Sequence, residues 1–68
     1  MPKMNKVVSS NVIAIGWENN TLFVEYKSGV YSYAEVPHAV YQNLMAADSK
    51  GHFMYTDVKG KYEYKRIA

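Results

Sequence analysis

Tyr31 and Tyr33 stand two positions apart in the stretch GVYSYAEVP, between Gly29 and Pro37. Alternate side chains of a strand share a face, so both rings point the same way. Two uses are open to such a pair. The rings can stack on the bases of a single nucleic-acid strand, each stacked base contributing roughly 1–3 kcal/mol. Alternatively they cover a helix and fill the core of a small domain. The first use needs cations for phosphates, and the chain supplies them unevenly. Residues 1–49 carry three lysines and four acids, whereas residues 50–68 carry Lys50, Lys59, Lys61, Lys65 and Arg66 against Asp57 and Glu63. A tail of charge +3 that also holds Tyr62 and Tyr64 is an electrostatic footprint for phosphates. The same lysines on a terminal strand would guard a sheet edge against aggregation.

The polar residues before the first strand have a similar double reading. Ser9, Ser10 and Asn11 can close a turn through side-chain to backbone hydrogen bonds. Ser10 and Asn11 can also line a cleft beside Ser49 and Gly51 and donate to a phosphate. The candidate ligand-binding set is therefore Tyr31, Tyr33, Lys59, Lys61, Tyr62, Arg66, Ser10, Asn11 and Ser49.

Catalysis finds no comparable support. His38 and His52 have neither cysteines nor carboxylates at ligand spacing, so no metal and no cofactor are expected. Ser49, His52 and Asp57 are three common residues in one segment, and a triad is recognised by geometry, not by co-occurrence. Lys59-Gly60-Lys61 lacks the strand–loop–helix context and the spacing of a phosphate loop. A binding module, not an enzyme, is the expectation.

The elements that must position these residues follow from periodicity. Ile13, Ile15 and Trp17 alternate with Ala14, Gly16 and Glu18, a half-buried strand. Asn19-Asn20 turns the chain, because asparagine tolerates left-handed backbone. The second strand puts Leu22, Val24 and Tyr26 on one side, and Ser28-Gly29 makes the next turn. The stretch VYSYAEV is the third strand of an antiparallel meander. Pro37 opens a helix of about eleven residues with a stripe of Val36, Val40, Tyr41, Leu44 and Ala47, and Gly51 stops it. Lys50 complements its dipole. Phe53, Met54 and Val58 read as a helical turn or an irregular linker, Lys59–Lys61 as a turn, and Tyr62–Ile67 as a last strand. The predicted fold is α+β in the order β-β-β-α-β, one sheet with one helix packed on it. Residues 1–8 lack periodicity and are read as a loose N-terminus before a single domain over 9–67.

Size and composition set the outer bounds. Sixty-eight residues make one domain with little core to spare, and the absence of cysteine removes disulfides and thiolate metal sites. A hydrophobic fraction of 49% is ample for folding. A chain so short also gains stability from self-association, so a homo-oligomer is in view. The N-terminus has lysines but no apolar core of a signal peptide, and no run is long enough to span a bilayer. A cytoplasmic bacterial or phage setting is expected, with no membrane partner. Asn19-Asn20-Thr21 fits a glycosylation sequon and is read as a hairpin turn.

The stretches SSNVIAIGW, LFVEY, GVYSYAEVP, VYQNLMAADSKG and a final V-K-G-K-Y, taken in this order, resemble the KTSC domain family from about Ser9 to Ile67. Its hallmark Y-x-Y is matched by Tyr31-Ser32-Tyr33. After the helix, members typically read S-x-G-x-[FY]-F-N and then I-R-x-x-Y. Here Ser49, Gly51 and Phe53 fit, while Met54 and Tyr55 replace the phenylalanine and asparagine. Val58-Lys59 replaces the I-R pair and Tyr62 is retained. The family takes its name from a C-terminal domain of some lysyl-tRNA synthetases, and its other members are small free-standing bacterial and phage proteins. The resemblance implies RNA as a partner. Two functions are therefore expected to compete: a module for a phosphate-bearing ligand, RNA or a small nucleotide, and a protein-interaction or self-assembly module.

Overall fold

The computed structural model describes residues Met1–Ala68. Five strands form one antiparallel sheet in sequence order: β1 (Asn5–Lys6), β2 (Val12–Glu18), β3 (Thr21–Tyr26), β4 (Gly29–Tyr33) and β5 (Tyr64–Arg66). Between β4 and β5 the chain makes α1 (His38–Ala46) and α2 (Lys50–Phe53), and α2 runs on into a π-helical turn, Met54–Val58. The fold is α+β, with the expected meander, helical layer and returning strand. One strand was not foreseen. Asn5 and Lys6, read as part of a loose terminus, pair with Ile15 and Ala14 and form one edge of the sheet.

The turns obey local chemistry. Asn19 and Asn20 both take positive φ, 52° and 59°, the conformation that lets a two-residue hairpin match strand twist. The following turn is Lys27-Ser28, one residue earlier than expected, and Gly29 is already paired with Tyr26 as the first residue of β4. Gly29 holds φ of 144°, and a Cβ there would lie 2.7 Å from the Ala68 carbonyl oxygen and from Arg66 Nε. No other residue fits.

Register decides which side chains share a face. Trp17, Leu22, Tyr33 and Tyr64 stand opposite one another across four strands, as do Ile15, Val24, Tyr31 and Arg66. These rows face the helices. A core of Val12, Ile15, Leu22, Val24, Tyr33, Val36, Leu44, Met54 and Val58 fills the space between. The alternation expected for β2 breaks at its start, where the register shifts between Val12 and Ala14. The extra residue, Ile13, is turned outward at 37% exposure, so it leaves the apolar face assigned to it. The opposite face carries Gly16, Phe23, Ser32 and Lys65 in a row. Residues Pro2–Met4 cross it so closely that a Cβ on Gly16 would meet Met4 Sδ at 2.8 Å.

The helical layer is divided where the sequence suggested one helix. Pro37 is the extended residue before His38, and α1 ends at Ala46. Gly51 does not stop it; Gly51 lies inside α2, whose N-cap is Ser49, its Oγ accepting from the His52 N–H at 3.2 Å. Lys50 Nζ donates to the Ala47 carbonyl at 2.8 Å, so its charge does sit at the end of α1.

Candidate functional site

Tyr26 ends β3, Tyr31 and Tyr33 lie in β4, and Tyr64 opens β5, all on the helix-facing side of the sheet. Their rings form one cluster. Tyr26 meets Tyr31 edge-on at 5.6 Å, and Tyr64 lies 6.1 Å from Tyr31 and 5.8 Å from Tyr33 between ring centroids. The helical layer covers Leu22 and Val24 completely but stops short of the β4–β5 end. What is left open is a cleft of about 660 Å³. The four tyrosines and Met54 line it, with Lys27 and Ser28 from the β3–β4 turn and Lys59 and Gly60 from the turn after the π helix. Asn11 and Gly51 complete the wall; a Cβ on Gly51 would stand 3.9 Å from the Asn11 amide nitrogen.

The polar floor of the cleft is a pair of hydroxyls, Tyr26 and Tyr33, 3.0 Å apart. When one donates to the other, the acceptor keeps its own proton free for a third partner. Burial pushes the Tyr26 hydroxyl far above the usual phenol range, and its bond to Tyr33 and the neighbouring phenols add to this. Burial also raises Tyr33, partly offset by the bond to Tyr26. Both hydroxyls therefore stay protonated as neutral donors. The charge of the cleft comes from lysine alone: Lys27 and Lys59 line it and no aspartate, glutamate or histidine does. Lys59 Nζ lies 5.4 Å from the centre of the Tyr26 ring, a cation–π contact that holds it at the wall. No group of three or more His, Cys, Asp or Glu side chains comes together elsewhere to hold a metal.

The structure thus gathers Tyr31, Tyr33, Lys59 and Asn11 from the set named on sequence and places the others apart. Tyr33 is 2% exposed and belongs to the core as well as to the cleft floor, while Tyr31 is half-buried. Within the Y-x-Y pair, Tyr33 fills the core as the packing reading expects, and Tyr31 borders the open cleft. Ser49 is spent on capping α2. Lys61 faces Asp57 at 4.0 Å on the surface, and Arg66 Nε donates to the Ala68 carbonyl. Tyr62 packs against the core from outside the cleft. Ser10 is exposed beside Ser9, whose Oγ accepts from the Val12 N–H at 3.4 Å. Tyr55 points to solvent at 74% exposure.

Sequence reasoning missed Tyr26, Tyr64, Lys27 and Met54. The signal for Tyr64 was present, since in the expected last strand it shares a face with Tyr62 and Arg66, whereas Tyr26 shares its face with Leu22 and Val24 and reads more readily as packing. Lys27 and Lys59 meet only through the fold.

Comparison with known proteins places this geometry. The chain matches lysine–tRNA ligase of Trichormus variabilis at 41% identity over 49 residues, which is 71% of this chain and 9% of that enzyme. The ligase of a Nostoc species matches at 37% over the same span. The chain therefore corresponds to a small fraction of either relative. A crystallised KTSC domain protein from Yersinia pestis superposes with a TM-score of 0.94 at 35% identity, covering 97% of both chains. The KTSC domain profile matches residues 8–62. With most of its length matched and its whole fold shared at this identity, the chain belongs to the KTSC domain family.

Proposed function

We propose that this protein is a non-catalytic binding module whose tyrosine cleft takes a phosphate-bearing ligand, single-stranded RNA or a small nucleotide. The observation that carries the reading is the lining: four tyrosines and two lysines around one opening, with no carboxylate among them. Aromatic faces accept flat rings without regard to their sequence, and uncompensated lysines accept phosphate. The volume falls within the range of roughly 300–1,000 Å³ found for small-ligand sites. The lysine–tRNA ligase relatives are consistent with an RNA context, although they are matched over only 9% of their length.

The test is a titration of short RNAs and a nucleotide panel into isotope-labelled protein. Shifts are expected at Tyr31, Tyr64, Lys27 and Lys59. For RNA, affinity should fall with salt at a slope of roughly −0.7 per phosphate neutralised. Undisturbed signals at these residues with millimolar ligand would sink the proposal.

A second reading, interaction with a protein or self-assembly, draws on the other sheet face. A furrow of about 530 Å³ there is lined by Phe23, Ser32 and Ile67, with Glu63 and Lys65 at its side. Light scattering separates the two. A salt-insensitive dimer that Phe23→Ala dissociates favours assembly.

A further inference from the structure

The cleft has a charge count, and that count selects among phosphates. Eight lysine and arginine side chains are present in all. Outside the lining, Arg66 Nε donates to the Ala68 carbonyl, Lys50 Nζ donates to the Ala47 carbonyl, and Lys61 faces the Asp57 carboxylate. Lys27 and Lys59 are the two that line the cleft, and no acidic residue lines it to neutralise either. An internal phosphodiester carries one negative charge and would leave one lysine uncompensated. A terminal phosphate monoester carries close to two at neutral pH and matches both. The neutral hydroxyl pair on the floor adds hydrogen-bond donors without adding charge. Beside it, Tyr64 offers a ring that is 63% exposed.

We propose that the ligand of the cleft is a flat ring system bearing a terminal, dianionic phosphate, and that Lys27 and Lys59 together read that second charge. This rests on the phosphate-binding reading above and narrows it. A free nucleoside monophosphate and the phosphorylated end of a strand share this chemistry. An internal stretch of RNA does not.

The experiment compares adenosine, adenosine 5′-monophosphate and its monomethyl ester by calorimetry on the whole chain between pH 5 and pH 7.5. The second ionisation of a phosphate monoester lies near pH 6, so the affinity for the monophosphate should rise across this window. The ester, singly charged throughout, should bind about tenfold more weakly at pH 7.5 and show a flat profile. The groups facing the ligand are Lys27 from the β3–β4 turn, Lys59 from the turn after the π helix, and the tyrosines of β3, β4 and β5. No histidine or carboxylate lines the cleft, so a slope near pH 6 belongs to the ligand. Lys59→Gln should abolish the preference for the monophosphate over its ester, and Lys59→Arg should restore it. A tetranucleotide with a 5′-phosphate, set against its 5′-hydroxyl form, reads the strand-end source in the same way. Equal affinity of monophosphate and ester, with flat profiles for both, overturns the dianion proposal while leaving the cleft a phosphate site. Failure of every probe overturns both.

Discussion

Trp17 and Tyr64 are the two ends of one row across the sheet, with Leu22 and Tyr33 between them. The Trp17 end is closed. Its indole N–H donates to the Val36 carbonyl at 2.8 Å, His38 meets its ring edge-on at 4.7 Å, and Tyr41 stacks 6.5 Å away. The Tyr64 end is open, with most of that residue exposed and the cleft beside it. Both ends use aromatic residues on the same sheet face. What differs is the cover: at one end Val36 supplies a carbonyl and α1 supplies two rings, at the other a turn supplies a lysine. An aromatic residue is therefore covered or left open according to what the next element brings to it, which its own sequence neighbourhood does not specify.

The comparison breaks most visibly at the residue that serves both sides. Tyr33 is almost fully buried and its hydroxyl is half of the cleft floor. Tyr33→Ala should cost about 3–5 kcal/mol of folding stability, the range for deleting a large buried aromatic ring. In a domain of this size each kcal/mol lowers Tm by roughly 4–8 °C, so thermal denaturation should show a collapse of the transition or outright loss of the fold. A loss below about 1 kcal/mol would mean that the sheet end around Tyr33 is as open as Tyr64.

Tyr64→Ala sharpens the contrast from the other end. An exposed ring on a three-residue edge strand contributes little to folding, so Tm should stay within about the ±0.5 kcal/mol equivalent of a surface change. Binding of adenosine 5′-monophosphate should weaken by roughly 1–3 kcal/mol if its base stacks there. Calorimetry on the variant reads this directly. A variant that melts early and still binds would reverse the two roles.

Much of the fold was legible in the sequence, and the part that was not has a physical reason. The turn at Asn19-Asn20 and the meander of three strands follow from chemistry confined to a few residues, and there the reading was right. The Y-x-Y pair was placed on one face by the period of a strand alone. Ile13 was misplaced because a bulge inserts one residue and flips what precedes it, and no residue type announces that. The one expected helix became two because Ser49 competes as an N-cap, a role that suits serine as well as any loop position does. Lys59 was chosen and Lys27 was not, although both line the cleft. The first lay in a visibly basic tail, the second alone in a hairpin turn. Their meeting depends on the π turn and the β3–β4 hairpin converging, a property of the tertiary fold.

Tyr26→Phe is the subtlest way to separate packing from polarity at the open end. The ring and its contact with Lys59 remain, and only the hydroxyl bonded to Tyr33 is removed. Near neutral pH the loss should be about 1 kcal/mol, the usual net worth of one hydrogen bond. The alkaline side is more informative. The folded protein holds the protons of Tyr26 and Tyr33 more tightly than the unfolded chain, where phenols ionise near pH 10. Above that pH the unfolded state binds fewer protons than the native one, so stability falls as pH rises. The stabilising contribution of the pair is complete below about pH 10 and is lost above it. Tyr26→Phe removes one of the two titrating groups, so its melting temperature should start lower than that of the parent at pH 8 and decline less steeply from pH 10 to 11. Parallel decline in the two proteins would mean that the Tyr26 hydroxyl is as free to ionise in the fold as in the unfolded chain, and that the floor of the cleft is water-filled.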